Sequence, residues 1–141
     1  MQRRDGRLQR GRVYRMPEPL LAALETVFAD AGARTVVVVE QSRYARLHRG
    51  MVATTRPGRI LLAGSGADFC ADPELVLHEY FHVLRQWHGG RLTRTGYLLE
   101  SVRRGYWFNR YEEEARRFAA AELPRLRGLL DRTPLSAGSG P

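Results

Sequence analysis

Residues 75–84 read LVLHEYFHVL, a stretch that places an H-E-x-x-H motif inside an apolar helical pattern. Residues four apart project from the same face of a helix, so His78 and His82 can direct two imidazoles at one ion. Glu79 lies at the edge of that face, where it can reach a water on the ion without being a ligand. The motif therefore predicts a metal-binding helix with a carboxylate placed to act as a general base.

The residues around the motif predict that this helix is buried. Apolar side chains cover almost every side of it, namely Leu75, Val76, Leu77, Tyr80, Phe81, Val83, Leu84 and Trp87. Unpaired histidines and a carboxylate would each cost several kcal/mol in such surroundings. A cation held by the imidazoles and balanced by carboxylates removes that cost. The alternative is a pair of core histidines bonded to backbone groups, with Glu79 at the surface.

A zinc site that keeps a position for water uses three protein ligands, so one more ligand is needed. The three-histidine pattern fails, because His88 stands before a glycine at the predicted helix end and residue 92 is Leu92. His48 lies upstream, in a loop between predicted strands. A carboxylate from a later helix fits the sequence better than either histidine.

Residues 109–115 read NRYEEEA and offer that carboxylate. Glu112 is the favoured third ligand, because the small side chain of Ala115 one turn later would allow close helix packing. Glu113 and Glu114 remain alternatives. Asn109 and Glu112 also form a capping-box pattern, in which Glu112 would bond the backbone N–H of Asn109 instead of a metal.

The remaining pattern predicts an α+β fold, with a short, mostly antiparallel sheet packed on the buried motif helix and on C-terminal helices. The predicted helices are Pro17–Ala31, Asp72–His88, Tyr97–Arg104 and Asn109–Leu123, and the predicted strands are Arg34–Glu40, Met51–Thr55 and Arg59–Ala63. Pro124 is expected to break or bend the last helix, and Leu126–Leu130 is a candidate continuation.

Composition bounds the domain organisation and the location. The 141 residues suit one domain over residues 16–130, flanked by a basic flexible tail at 1–15 and a Pro/Gly/Ser-rich tail at 131–141. The chain has a net charge of +8, carried entirely by arginines on the basic side. It has a single cysteine, Cys70, and no apolar run of membrane-helix or signal-peptide type. A cytoplasmic location and no membrane partner are expected.

The motif pair resembles the gluzincin zinc metallopeptidases, in which H-E-x-x-H is followed on a later helix by E-x-x-A and then Asp or Asn. Here His78–His82 and Glu112–Ala115 match, whereas Arg116 stands where the acidic or amide residue is expected. The chain looks closest to small bacterial domains of this kind, including those encoded near contractile injection systems. Residues 112–124, EEEARRFAAAELP, are also similar to peptidases that cleave phage-type repressors.

The resemblance implies a zincin-like fold, a Zn²⁺ ion on His78, His82 and Glu112, and hydrolysis of a peptide or protein substrate. Glu79 would take a proton from the attacking water and return it to the leaving nitrogen. Arg59–Ala63 looks like the substrate-lining edge strand of that fold, which assigns Ile60, Leu61 and Leu62 to substrate binding. A donor to the oxyanion is expected from Tyr106, Tyr111 or His88.

Two other functions compete with a zinc endopeptidase. Arg116 and the small size are compatible with a zinc-binding scaffold that does not hydrolyse anything. The high positive charge is compatible with a nucleic-acid-binding module in which the motif is accidental, but the arginines are spread along the chain and form one dense cluster, in the N-terminal tail. Nucleic acid is therefore the less favoured partner.

Overall fold

The computed structural model describes residues 11–42, Ala45, 53–87 and 110–132. Several predictions lie outside these described residues: the helix at Tyr97–Arg104, residues 1–10 and 133–141 of the tails, His48, His88 and Tyr106. Within the described ranges, no helix has the length and apolar character needed to cross a membrane.

The described residues form a mixed helix-and-sheet fold, which is compatible with the predicted α+β class. The strands are β1 (Arg12–Tyr14), β2 (Val37–Glu40), β3 (Ala53–Arg56) and β4 (Arg59–Leu62). The α-helices are α1 (Glu18–Phe28), α2 (Gly66–Cys70), α3 (Pro73–Phe81) and α4 (Arg110–Arg132). A short 3₁₀-helix covers Ala31–Thr35, and a π-helical segment, His82–Trp87, directly continues α3.

The four strands form one mixed sheet in the order β1-β2-β4-β3. β1 pairs with β2 and β3 pairs with β4 in antiparallel fashion, whereas β2 and β4 are parallel, with Val38 opposite Ile60. A tight turn at Pro57-Gly58 joins β3 to β4, and Gly58 adopts a φ of 71°, which glycine tolerates without steric cost. The sequence predicted a mostly antiparallel sheet and did not specify the parallel pairing of β2 with β4.

The prediction that Arg59–Ala63 is an edge strand is wrong. β4 pairs with β2 on one side and with β3 on the other, and Ile60, Leu61 and Leu62 are each at most 2% exposed. Ile60 and Leu62 face the main core, while Leu61 packs with Val39 and Ala45 on the opposite face. A continuous apolar run is typical of a strand that is covered on both faces.

The boundary of the predicted N-terminal tail is also wrong. Arg12–Tyr14 is a strand, because its backbone pairs with β2; Arg12 and Val13 are exposed and Tyr14 is partly buried. Arg12 forms an ion pair with Glu40, and the ring of Tyr14 lies against the backbone of Gly66, where any Cβ would collide with it. At the other end, Asp131 and Arg132 belong to α4 instead of the predicted C-terminal tail.

α3 is the central helix of the core and begins where the sequence predicted. The Asp72 side chain accepts from the backbone N–H of Leu75 at 3.2 Å, and Pro73 occupies the first turn. α3 packs against α4, and α1 also contacts α4. The rings of Phe28, Phe81 and Phe118 meet where these three helices converge, with centroid separations of 5.0 and 4.8 Å.

α4 continues through Pro124, so a break at that residue is wrong and the predicted continuation through Leu126–Leu130 is confirmed. Proline removes one backbone N–H, which leaves the carbonyl four residues earlier, on Ala120, without its helical donor. Both Pro124 and Ala120 are exposed, so water can satisfy that carbonyl. Ala119 and Leu126 remain buried on either side of the proline and hold both halves of the helix on the core.

Candidate metal centre

His78 and His82 are brought together as the motif predicted. His78 lies in α3 and His82 follows it by one turn, at the start of the π-helical segment. Their Nε2 atoms are 3.2 Å apart, and the two rings meet edge to face. His82 is 3% exposed, and the side chain of His78 is 15% exposed. The pair therefore points two ring nitrogens at one partly open position.

Glu112 reaches both imidazoles from α4. Its Oε2 atom lies 2.9 Å from His78 Nε2, and its Oε1 atom lies 3.1 Å from His82 Nε2. Glu113, by contrast, bonds Arg117 on the surface at 2.6 Å. Among the described residues, His78, His82 and Glu112 form the one cluster with the composition and spacing of a metal site. The helix packing thus favours Glu112 over its neighbours.

One ligand atom from each of the three residues lies within 4.8 Å of the others, close enough for the three residues to bind one ion. Donors at about 2.0–2.1 Å from zinc with tetrahedral angles lie about 3.3 Å from one another. The two histidine Nε2 atoms are 3.2 Å apart, close to that value, and Glu112 approaches them with different carboxylate oxygens, Oε2 at 2.9 Å from His78 and Oε1 at 3.1 Å from His82. Two imidazoles and one carboxylate are also a donor set that zinc accepts, with a fourth position left for water.

The charges of the cluster are strongly coupled. Burial by itself would lower the pKa of His82, but hydrogen bonding and attraction to Glu112 raise that pKa to about 9. Burial would raise the pKa of Glu112, yet its hydrogen bonds with His78 and His82 hold that pKa far below its ordinary value. A proton on His82 therefore balances the carboxylate, and a divalent cation is a chemical replacement for it.

Glu79 lies beside the cluster and is 7% exposed. Burial raises the pKa of its carboxyl group, while the nearby His82 and His78 oppose that shift and Glu112 adds to it. A carboxylate whose pKa is raised is a better proton acceptor than an exposed one. The alternative of a surface Glu79 is therefore wrong, and its environment suits the predicted role of general base.

Gln86 is a residue of the site that the sequence did not indicate. It is fully buried, its Oε1 atom lies 2.5 Å from His82 Nδ1, and its Nε2 donates to the Tyr111 carbonyl at 3.0 Å. Metal-binding histidines usually donate their second ring nitrogen to such an acceptor. Arg116, at the position where the gluzincin pattern expects an orienting residue, is exposed. The hydrogen-bond acceptor for Nδ1 of His82 is instead Gln86, which lies in the π-helical segment.

The other predicted site residues have different outcomes. Ile60, Leu61 and Leu62 are enclosed in the sheet and cannot line a substrate cleft. Tyr111 is 5% exposed, and its hydroxyl accepts from Arg110 at 3.2 Å, which leaves the O–H of Tyr111 as a donor, so its role as oxyanion donor stays a prediction. His88 and Tyr106, the two other predicted donors, lie outside the described residues.

Comparisons of the chain with protein-family models, with curated proteins and with solved structures gave no match. The chemistry of the site must therefore be inferred from its own residues and geometry.

Proposed function

We propose that this chain is a zinc-dependent metallopeptidase domain that hydrolyses a peptide bond in a protein or peptide substrate. The observation that carries the proposal is the convergence of His78, His82 and Glu112 at separations of 2.9–3.2 Å. A buried carboxylate, Glu79, directly follows His78 on α3. This combination matches the gluzincin pattern to which the sequence is similar.

Each protein group has a defined part in the proposed reaction. Zinc, when bound, would lower the pKa of a water and polarise the scissile carbonyl. Glu79 would accept a proton from the attacking water on a carboxylate oxygen and then deliver it to the leaving nitrogen. His82 would present Nε2 to the ion while its Nδ1 hydrogen bonds to Gln86. Residues 75–84 thereby contribute two ligands and the general base.

The substrate would bind along β3 instead of β4. Within the described residues, β3 is the outer strand on the side of the sheet that contacts α3 and the π-helical segment. Trp87 fixes this edge to the segment through a hydrogen bond from its indole N–H to Thr55 at 3.1 Å. An outer strand carries unpaired backbone groups that can hydrogen-bond an extended peptide.

The proposal is tested with the purified full chain, by measuring its zinc content and its cleavage of a mixed-sequence peptide library. We expect one zinc per chain and metal-dependent cleavage. Glu79→Gln should retain zinc and lose about 10²–10⁴-fold in rate, as is typical when a general base is removed. Glu74→Gln, an exposed position in the first turn of the same helix, is the matched control and should behave like the wild type.

The same measurements separate the competing functions. A chain that binds one zinc but cleaves no member of the library would be a zinc-binding scaffold, the function that the Arg116 departure suggested. A chain that binds no zinc at all would refute both proposals. Salt-sensitive binding of DNA or RNA that survives His82→Ala would instead favour the nucleic-acid-binding module.

A further inference from the structure

We propose that Gln86 is a positioning residue that fixes the tautomer of His82 and couples that ligand to the helix carrying Glu112. The inference rests on the proposed metal site, and it concerns how the protein prepares that site. Gln86 lies one turn after His82, and it bonds the backbone of Tyr111, the residue immediately before Glu112. One side chain therefore links two metal-binding elements that are distant in sequence.

The directions of the two hydrogen bonds determine the tautomer. The Tyr111 carbonyl can only accept, so the amide nitrogen of Gln86 must face it at 3.0 Å. The amide oxygen must then face His82, which requires Nδ1 of His82 to carry a hydrogen. With Nδ1 protonated, Nε2 is the nitrogen that can offer a lone pair, and Nε2 is the atom next to Glu112 and His78.

The surroundings of Gln86 agree with a positioning role. The side chain is fully buried, and its neighbours Val83 and Leu84 belong to the apolar core. A buried amide is costly unless its oxygen and its nitrogen are both hydrogen-bonded, as they are in Gln86. The π-helical geometry is also frequent at functional sites. Orienting partners of metal ligands typically contribute 10–100-fold to metal affinity.

The decisive experiment measures zinc affinity by competition with a chelator, using the metal alone as the probe. Gln86→Met keeps the length and the apolar stem of the side chain but loses the amide oxygen and the amide nitrogen. We expect a 10–100-fold weaker zinc affinity. Gln86→Glu restores an acceptor for Nδ1 of His82 and should bind zinc more tightly than Gln86→Met. Val83→Ala opens a cavity in the same segment but removes no hydrogen-bonding group, so it should lower stability and leave zinc affinity unchanged.

A spectroscopic readout on the wild type makes the test independent of how well the variants fold. In the zinc-loaded protein, nitrogen-15 NMR of the histidine rings should show Nδ1 of His82 protonated and Nε2 bound to the metal. Zinc on Nδ1, wild-type affinity in Gln86→Met, or no recovery in Gln86→Glu would each overturn the inference while leaving the metal site intact. Absence of zinc binding by the wild type would instead refute the proposed function.

Discussion

The Nε2 atom of His78 lies 2.9 Å from Oε2 of Glu112, although the two residues are 34 positions apart in the sequence. The contact crosses the interface between α3 and α4, the most extensive helix pairing of the described fold. Docking of these helices therefore also assembles the proposed ligand set, so changes in helix packing and changes in metal binding should be linked.

Glu112→Gln is predicted to weaken zinc binding by at least 10-fold, because it replaces the carboxylate ligand with a neutral amide. Glu113→Gln is the matched control, since Glu113 pairs with Arg117 at the surface and has no contact with the two histidines among the described residues. Chelator competition measures both affinities. Equal affinities in the two variants, or a larger loss in Glu113→Gln, would contradict the assignment of Glu112 as the third ligand.

The metal-free protein is predicted to lose stability as the pH rises from 6 to 10. The pKa of His82 in the folded protein, about 9, is above its ordinary value of 6.5, so this group stabilises the fold fully below pH 6.5 and loses its effect through pH 9. The pKa of Glu112 is depressed, so its contribution is present above its ordinary value of 4.5 and is lost on further acidification. Urea unfolding of metal-stripped protein at several pH values measures this dependence.

Glu112→Gln should flatten that decline, since it removes the partner that raises the pKa of His82. Zinc must displace the proton held by His82, so zinc affinity should increase with pH over the same window, and binding near neutral pH should release protons. Calorimetry in buffers of different ionisation enthalpy measures the released protons. Zinc binding without proton release would show that His82 is already neutral in the metal-free protein.

Tyr80→Phe is predicted to leave stability unchanged or to raise it by about 1 kcal/mol. The Tyr80 side chain is fully buried, and its hydroxyl has no hydrogen-bond partner in the described part of the chain. Burial also raises the pKa of that hydroxyl. Tyr111→Phe is the control, because the Tyr111 hydroxyl accepts from Arg110, and it should cost about 0.5–1.5 kcal/mol. Urea unfolding of both zinc-free variants measures the two changes in stability. A larger loss of stability in Tyr80→Phe than in Tyr111→Phe would contradict this ranking.

The motif helix and the cluster of His78, His82 and Glu112 could be predicted because their signals are local. Asp72, Pro73 and the four-residue spacing of His78 and His82 specify a capped helix and a shared face without knowledge of the rest of the fold. Glu112 was favoured by a second local signal, the small residue Ala115 one turn later. Ala115 is fully buried, as expected if its small side chain allows close helix packing.

The features that the sequence did not indicate depend on tertiary contacts. Arg12–Tyr14 is a short, arginine-flanked segment that is a strand because β2 offers it a backbone partner. β4 is an interior strand because β2 and β3 pair with its two edges, and β1 and β3 are the outer strands of the described sheet. In the sequence, Gln86 looks like an ordinary surface residue of a helix. Its burial depends on a tertiary contact, in which α4 brings the Tyr111 carbonyl to it. None of these relationships has a local sequence signature.

Ala115→Leu is predicted to weaken zinc binding and stability together. Ala115 lies on α4 in the main core, less than one turn after Glu112, and has no exposed surface. Extra methyl groups in a well-packed core cost about 1–3 kcal/mol, and the displaced helix would carry Glu112 away from His78 and His82. Ala120→Leu, at an exposed position of the same helix, makes the same chemical change without overpacking. Melting temperature and zinc affinity should both fall in Ala115→Leu and remain near wild type in Ala120→Leu. A destabilised Ala115→Leu with wild-type zinc affinity would show that helix docking and metal binding are separable.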